Sequence, residues 1–301
     1  MRHVHLDIMM PFYGRFDHLR TAVESVVAQT DDRWRLTVVD DVYPDLEPGA
    51  WVEAIDDERV TYLRNSTNLG PSGNFQHSAD LAESTHVVIM GCDDALRPDF
   101  VAHVLGLIER FPDIAVIQPG VEVIDDNGAV HVPLADRTKA IFRPGGSRRS
   151  HIVAGEDLAA SLVRATWTYF PSLVWRVDAL RRHSFRTDLG IVQDLPMLLD
   201  IALDGGSFLI DPVTVFQYRR HGESVSQANH DGTKFAEERT VYGEYEAAFR
   251  AVGWTRAARA ARTRLTSRLH AGRDLAGGFR SSTPEARRAL AQHTFGFPPR
   301  P

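Results

Sequence analysis

This 301-residue sequence predicts an α/β fold: a Rossmann-like, mostly parallel sheet flanked by helices, with a helical extension at the C-terminus. Three observations predict it. Strand-like and helix-like segments alternate through the first third of the chain, the pattern of βα units around a parallel sheet. The run "HVVIMG" at 86–91 is almost continuously apolar, as expected of a strand buried on both faces. Roughly the last 70 residues are rich in Ala and Arg and read as helices.

Taken in order, "VHLDIMM" alternates, with Val4, Leu6, Ile8 and Met10 on one face, and predicts a first strand. Phe16, Leu19, Val23, Val26 and Val27 recur at helical spacing and predict an amphipathic helix over 16–29. "RLTVVDD" and "RVTYL" read as the second and third strands. "NLGPSGNFQHSADLAES" begins as a Gly/Pro/Ser loop and turns helical, with Ser72 in an N-cap position. Pro98 falls in the first turn of a helix carrying Phe100, Val101, Val104, Leu105 and Ile108. From about residue 114 the pattern changes to short strands, with a hairpin turn at Asp126, Asn127 and Gly128. A basic loop ("RPGGSRRS"), helices near 156–164 and 194–203 and a strand "SFLIDPVTVFQYR" complete this second half.

Composition bounds the function. A 43% hydrophobic content suits a well-buried core, and a net charge of -6 from 34 basic and 40 acidic residues gives no nucleic-acid signature. A single cysteine, Cys92, excludes an intramolecular disulfide framework and a CxxC zinc site, and fits a reducing cytoplasm. The N-terminus lacks the apolar core of a signal peptide, and no run approaches the roughly 18 apolar residues of a membrane span. The chain therefore reads as soluble or peripheral. No GxGxxG follows the first strand, which argues against a dinucleotide-dependent oxidoreductase.

Ligands of open parallel sheets bind outside the carboxyl ends of the strands. Two acidic pairs fall there: Asp40 and Asp41 end the second strand, and Asp93 and Asp94 follow the apolar run. Adjacent carboxylates repel, and a hard cation such as Mg²⁺ or Mn²⁺, sharing phosphate oxygens with its substrate, would offset that repulsion. A helix cap or a solvated loop would also accommodate them.

The segments "IMMPFYGRFDHLRTAVESVVAQT", "RLTVVDD", "NLGPSGNF", "VVIMGCDDALRPDF", "QDLPMLLDIALDGG" and "YRRHGESVS" occur in an order that resembles the family 2 glycosyltransferases of GT-A fold, which transfer sugars from nucleotide diphosphates with inversion. The resemblance covers roughly residues 4–226. "NLGPSGNF" with "YFPSLVWR" is most similar to the rhamnosyltransferase-like, polysaccharide-building branch. It implies a nucleotide-sugar-binding half (1–115), an acceptor-binding half (116–226) and a C-terminal helical extension (227–301).

The resemblance also implies roles. Pro11 and Tyr13 would meet the base or ribose, Asp41 would accept from the N3–H of a pyrimidine, and Asp40 would be structural or near the ribose. Asn68 and Gly70 open the loop near the nucleotide, with Ser72 and Asn74 as further polar contacts. Asp93 would contact sugar or ribose, and Asp94 would bind the Mn²⁺ or Mg²⁺ bridging the two phosphates. His221 would be a third metal ligand or a diphosphate contact, and Arg219 or Arg220 would neutralise the leaving group. Asp194 occupies the place of the catalytic base, and its bland alternative is the N-terminal acid of a helix. Gln193 replaces the usual acid beside it, on the acceptor side. Independently of the resemblance, Trp167, Tyr169, Phe170 and Trp175 cluster in the second half; such a cluster also reads as core, and Trp167 is the one expected to stack on an acceptor sugar.

Two departures from the family pattern stand out. "DDVYPD" replaces the usual Asp-Asp-Gly-Ser, so the loop after the second strand is expected to run differently, because Val42 and Tyr43 take positive φ poorly. Gly91 replaces an acid often found two residues before Asp93, leaving metal binding to Asp94, His221 and phosphate oxygens. Cys92 has no catalytic partner and reads as a small buried residue. Rival readings are a sugar nucleotidyltransferase, for which "PFYGRFDHL" is a poor triphosphate loop, and a catalytically degenerate scaffold subunit, which intact Asp94 and Asp194 oppose. The basic C-terminal helices would face solvent, a second subunit, or anionic lipid bearing a lipid-linked acceptor.

Overall fold

The computed structural model describes residues 5–131, 139, 141–145, 149–220, 233–277 and 283–296. One nine-stranded sheet runs through both halves of the chain. Strands β1 (Leu6–Phe12), β2 (Trp34–Asp40), β3 (Val60–Arg64) and β4 (His86–Ile89) are parallel, in the order β3-β2-β1-β4. The sheet continues beyond β4 through β8 (Val174–Arg176), β6 (Val116–Ile124), β9 (Ser207–Arg219) and β5 (Ala95–Leu96), while β7 (His151–Ala154) also pairs with β9. In this second part β6 and β9 are parallel and the other pairings antiparallel.

Strand periodicity sorts the core into two layers. Leu6, Ile8, Met10, Val88 and Met90 face the helices α1 (Phe16–Val27) and α4 (Phe100–Arg110). Met9, Val87 and Ile89 face α3 (Gly70–Leu81), α5 (Gly155–Arg164) and α7 (Asp194–Leu203). "HVVIMG" is thus buried on both faces, as its composition predicts. The connection from β2 to β3 carries α2 (Glu47–Glu53), and the short α6 (Val177–Leu180) follows β8. Helices α8 (Thr233–Ala251), α9 (Thr255–Thr263), α10 (Leu265–Gly277) and α11 (Pro284–Phe295) form the C-terminal extension. Val241, Tyr242, Tyr245 and Phe249 of α8 join the core layer that contains α7.

Three local expectations need correction. Ser72 is not an N-cap: α3 starts two residues earlier, at Gly70, and the Ser72 hydroxyl instead donates 2.8 Å to the carbonyl of Leu189. Pro98 lies just outside α4, whose N-cap position is Asp99, and its carbonyl ties down the N–H of Thr30 at 2.9 Å. The loop after β2 retains a left-handed residue although it lacks glycine, because Val42 itself adopts φ 61°. The expected hairpin forms, with Gly128 at φ 82° and Ile124 bridging Val130.

Candidate active site

The carboxyl ends of β2 and β4 flank that of β1, so both acidic pairs open on one side of the sheet. Asp40 is fully buried. Its Oδ1 accepts from the Tyr43 N–H at 2.7 Å, and its Oδ2 accepts from Arg64 Nη1 at 2.5 Å and from the Tyr62 hydroxyl. Asp41 Oδ1 accepts from Asn65 Nδ2 (2.9 Å) and the N–H of Leu69 (2.7 Å), and Oδ2 from the N–H of Gly70 (2.9 Å). Asp41 thereby caps the start of α3 from outside the helix, sharing the Gly70 N–H with Asn68. Asn68 donates 2.9 Å to the Asp41 carbonyl and accepts 3.0 Å from the Gly70 N–H; Gly70 takes φ 70°, a conformation that favours glycine. Asn74 is buried and donates to the carbonyl of Val39 at 2.9 Å. Tyr13 is exposed, with its ring edge-on to Tyr43 at 5.4 Å, and Pro11 is the last residue but one of β1.

The second pair is built differently. Asp94 is completely buried; its Oδ1 accepts from the Arg219 N–H at 2.8 Å, while its Oδ2 has no hydrogen-bond partner. A buried, unpartnered carboxylate oxygen is costly. Burial first, and the negative charge of Asp93 second, hold the Asp94 carboxyl well above the ordinary range. A Cβ on Gly91 would stand 2.7 Å from both Asp93 Oδ1 and Asp94 Oδ2, so those oxygens lie at most twice that distance apart. Glycine at 91 is what lets the two carboxylates share this space. Their hard oxygens and the unpartnered Oδ2 fit Mg²⁺ or Mn²⁺, to which they would offer oxygen ligands. Among the described residues no three His, Cys, Asp or Glu side chains gather as a ligand set, and His221 lies outside those residues. Burial also raises the thiol pKa of Cys92, so this sulfur is no nucleophile.

Arg219 secures the loop rather than presenting its charge. The side chain is buried, donating from Nε to the carbonyl of Asp93 (2.7 Å) and from Nη1 to those of Asp125 (2.9 Å) and Asp126 (3.1 Å). Arg220 stacks 5.4 Å over the ring of Tyr218. Asp194 is half-buried at the first position of α7, and burial raises its pKa, against opposing contributions from Lys139 and from the N–H groups of Asp194 and Leu195. The amide oxygen of Gln193 beside it is buried without a partner.

A chain of contacts that sequence reasoning missed links the two ends of the site. The ring of Tyr218, next to Arg219, lies 5.3 Å from that of Tyr169; Lys139 Nζ sits 4.2 Å over Tyr169 and acts electrostatically on Asp194. Adjacency to "RRH" could have flagged Tyr218, but nothing in the sequence marks Lys139. Trp167, in contrast, cannot stack on an acceptor: it is 1% exposed, packed in the core with its indole N–H donated to Ser161 Oγ at 3.2 Å. An aromatic cluster reads the same in sequence whether it lines a groove or fills a core, and here Trp167 and Trp175 fill the core.

The model of glycosyl transferase family 2 matches residues 7–164, more than half of the chain. The chain belongs to this family. Over 113 residues it is 34% identical to the succinoglycan biosynthesis protein ExoO of Rhizobium meliloti, covering 38% of this chain and 31% of that protein. It is 30% identical over 115 residues to the abequosyltransferase RfbV of Salmonella typhimurium, covering 36% of this chain and 34% of that one. The chain thus matches about a third of the length of these curated relatives. The structure of S. aureus TarS 1-349 in complex with UDP-GlcNAc superposes with a TM-score of 0.68 at 16% identity, over 96% of this chain and 81% of that one. The fold is that of the GT-A glycosyltransferases. No helix among the described residues is long and apolar enough to cross a membrane.

Proposed function

We propose that this chain is an inverting glycosyltransferase that moves a sugar from a nucleotide-diphosphate donor, a UDP- or dTDP-sugar, to a hydroxyl of a saccharide or lipid-linked acceptor. The carrying observation is Asp94: a fully buried carboxylate with one oxygen unpartnered, beside Asp93, at the carboxyl end of a central strand. TarS has been solved in complex with UDP and with UDP-GlcNAc, and ExoO is a succinoglycan biosynthesis protein, which supports this donor and acceptor class. Pro11, Tyr13, Asn68 and Gly70 would border the base and ribose. The remaining lone pair of Asp41 Oδ2 would accept from the base N3–H. Asp93 and Asp94 would hold Mn²⁺ or Mg²⁺, which supplies charge neutralisation to the departing diphosphate. Asp194 would take the proton of the attacking hydroxyl; burial moves its pKa towards the operating range of a general base, and the start of α7 fixes its position. Arg220 would stand near the leaving group. The unpartnered oxygen of buried Asp94, together with the raised pKa of Asp194, disfavours the scaffold reading.

Incubating the protein with a panel of nucleotide sugars and Mn²⁺ should reveal slow hydrolysis of one donor. Asp194→Asn should lower turnover by about two orders of magnitude with donor binding preserved. An active Asp194→Asn enzyme refutes the base assignment, and pyrophosphorolysis without sugar transfer or hydrolysis would favour a nucleotidyltransferase.

Partner contacts of the extension follow its charge. From Trp254 onward the sequence holds ten Arg against two acidic residues, and Leu265, Leu269 and Arg273 form one exposed stripe of α10. This face suits anionic lipid. Anionic vesicles should float the protein and neutral ones should not; equal flotation on both, or on neither, rejects the contact.

A further inference from the structure

Helix α8 belongs to the extension, yet its polar side chains reach into the segment that delivers Asp194. Glu237 Oε1 accepts from the N–H of Gly190 at 2.8 Å, and Oε2 accepts from those of Ile191 (3.0 Å) and Val192 (3.1 Å). Three consecutive main-chain donors converging on one carboxylate form an anion nest, and here the protein fills the nest itself. The segment between α6 and α7 has no helix or strand of its own, so its N–H groups need such a partner. About two turns further along α8, Glu244 pairs with Arg186, and the Tyr245 hydroxyl lies 2.6 Å from Asp200 Oδ1 and 3.0 Å from the carbonyl of Pro196. On the opposite side Ser72 of α3 holds the carbonyl of Leu189 at 2.8 Å. The loop immediately before Gln193 and Asp194 is therefore pinned from the nucleotide half and from the C-terminal extension at once.

We infer that Glu237 is a positioning residue for the proposed base, and that the C-terminal extension is part of the turnover apparatus through this clasp. The inference rests on the glycosyltransferase reading of Asp194. Without the carboxylate, three N–H groups lose their shared acceptor, the 190–192 segment loosens, and Asp194 is no longer held at a fixed distance and depth. A misplacement of about 1 Å at such a group costs on the order of a hundredfold. Asp94 and its loop, held by Arg219 through other contacts, are not touched by the change.

The test compares Glu237→Ala and Glu237→Gln with the intact chain, using the donor that the wild type hydrolyses. Turnover should fall by about thirty- to a hundredfold in the alanine variant and less in the glutamine variant, which retains one acceptor oxygen, with the KM for donor and the Mn²⁺-induced shift in Tm unchanged. Because burial is what raises Asp194, the acid limb of the pH–rate profile should move to lower pH as the loosened loop lets water in. Hydrogen exchange should show lost protection at 190–192 while β1 and β4 stay protected. A uniform loss of stability with an unmoved pH profile would make Glu237 merely structural and overturn the inference. So would wild-type turnover in Glu237→Ala alongside an inactive Asp194→Asn, whereas an active Asp194→Asn defeats the base reading itself.

Discussion

Asp40-Asp41 and Asp93-Asp94 are the same dipeptide, one at the end of β2 and one in the loop that follows β4, the two strands that flank β1, but their surroundings are opposite. Around the first pair every carboxylate oxygen accepts from a protein donor: Tyr43, Tyr62 and Arg64 for Asp40, and Asn65, Leu69 and Gly70 for Asp41. In the second, Asp94 is buried as deeply as Asp40 but has one oxygen with no partner. Burial alone does not mark a functional carboxylate. What separates the two is whether the protein itself completes the hydrogen bonding: it does so for Asp40 and not for Asp94 Oδ2.

The largest expected effect breaks the second pair. Asp94→Asn should cost about a hundredfold or more in turnover, as removal of one preorganised electrostatic group typically does, without costing stability. The sign of its pH dependence follows from the raised pKa. A carboxyl whose pKa is raised by folding adds stability in full below its unfolded value, and loses that contribution as pH rises through the folded value. Metal-free wild type should therefore lose Tm relative to Asp94→Asn as pH climbs from below 4 towards neutrality. Mn²⁺ should restore Tm at neutral pH in the wild type only. A Tm gap that does not change with pH, or an Mn²⁺ response in both proteins, would show that Asp94 is not the strained, metal-seeking group.

The next effect breaks the first pair and should be the converse. Asp40→Asn leaves Arg64 and the Tyr62 hydroxyl without a charged acceptor, and should cost about 2 kcal/mol in stability. Urea denaturation measures it. Turnover by the fraction that remains folded should stay within a few-fold of wild type. A stable but inactive Asp40→Asn would mean that the buried carboxylate also serves the donor, and the contrast between the pairs would fail.

Much of this was legible in sequence, and the reasons are physical. Long periodic segments declared themselves: α7 and β9 fall at 194–203 and 207–219, as patterning predicts. Short elements did not. Helix α2, "EPGAWVE", contains Pro and Gly, and β5 has two residues, too few for any period. Both acidic pairs could be located, but the difference in their hydrogen bonding could not be read, because apart from the Tyr43 N–H the donors that saturate the first come from more than twenty residues away in the chain. Glu237 was invisible for the same reason: its clasp on 190–192 spans 45 or more residues. Trp167 was misassigned because residue type does not distinguish a sugar platform from core filling.

Val42 carries the smallest and sharpest expectation about the first pair. A β-branched residue at φ 61° is strained, and the strain is held by its neighbours. The Asp41 N–H donates 2.9 Å to the carbonyl of Phe12 and the Tyr43 N–H donates 2.7 Å to Asp40 Oδ1. The carbonyls of Asp41 and Tyr43 accept from Asn68 and Arg64, each at 2.9 Å. With both flanking peptides fixed, the turn keeps the left-handed shape that glycine would adopt freely, and the side chain is made to follow. Left-handed geometry costs a non-glycine residue about 1–2 kcal/mol, whereas glycine loses roughly 0.5–1 kcal/mol more chain entropy on folding. Val42→Gly should therefore stabilise the protein by about 0.5 kcal/mol, read as a small upward shift in the urea midpoint with unchanged slope. A loss of 1 kcal/mol or more, by the same measurement, would show that packing of the half-buried Val42 side chain outweighs its backbone strain. The saturated hydrogen bonds of Asp40 would then be reinforcing a favourable turn rather than restraining a strained one.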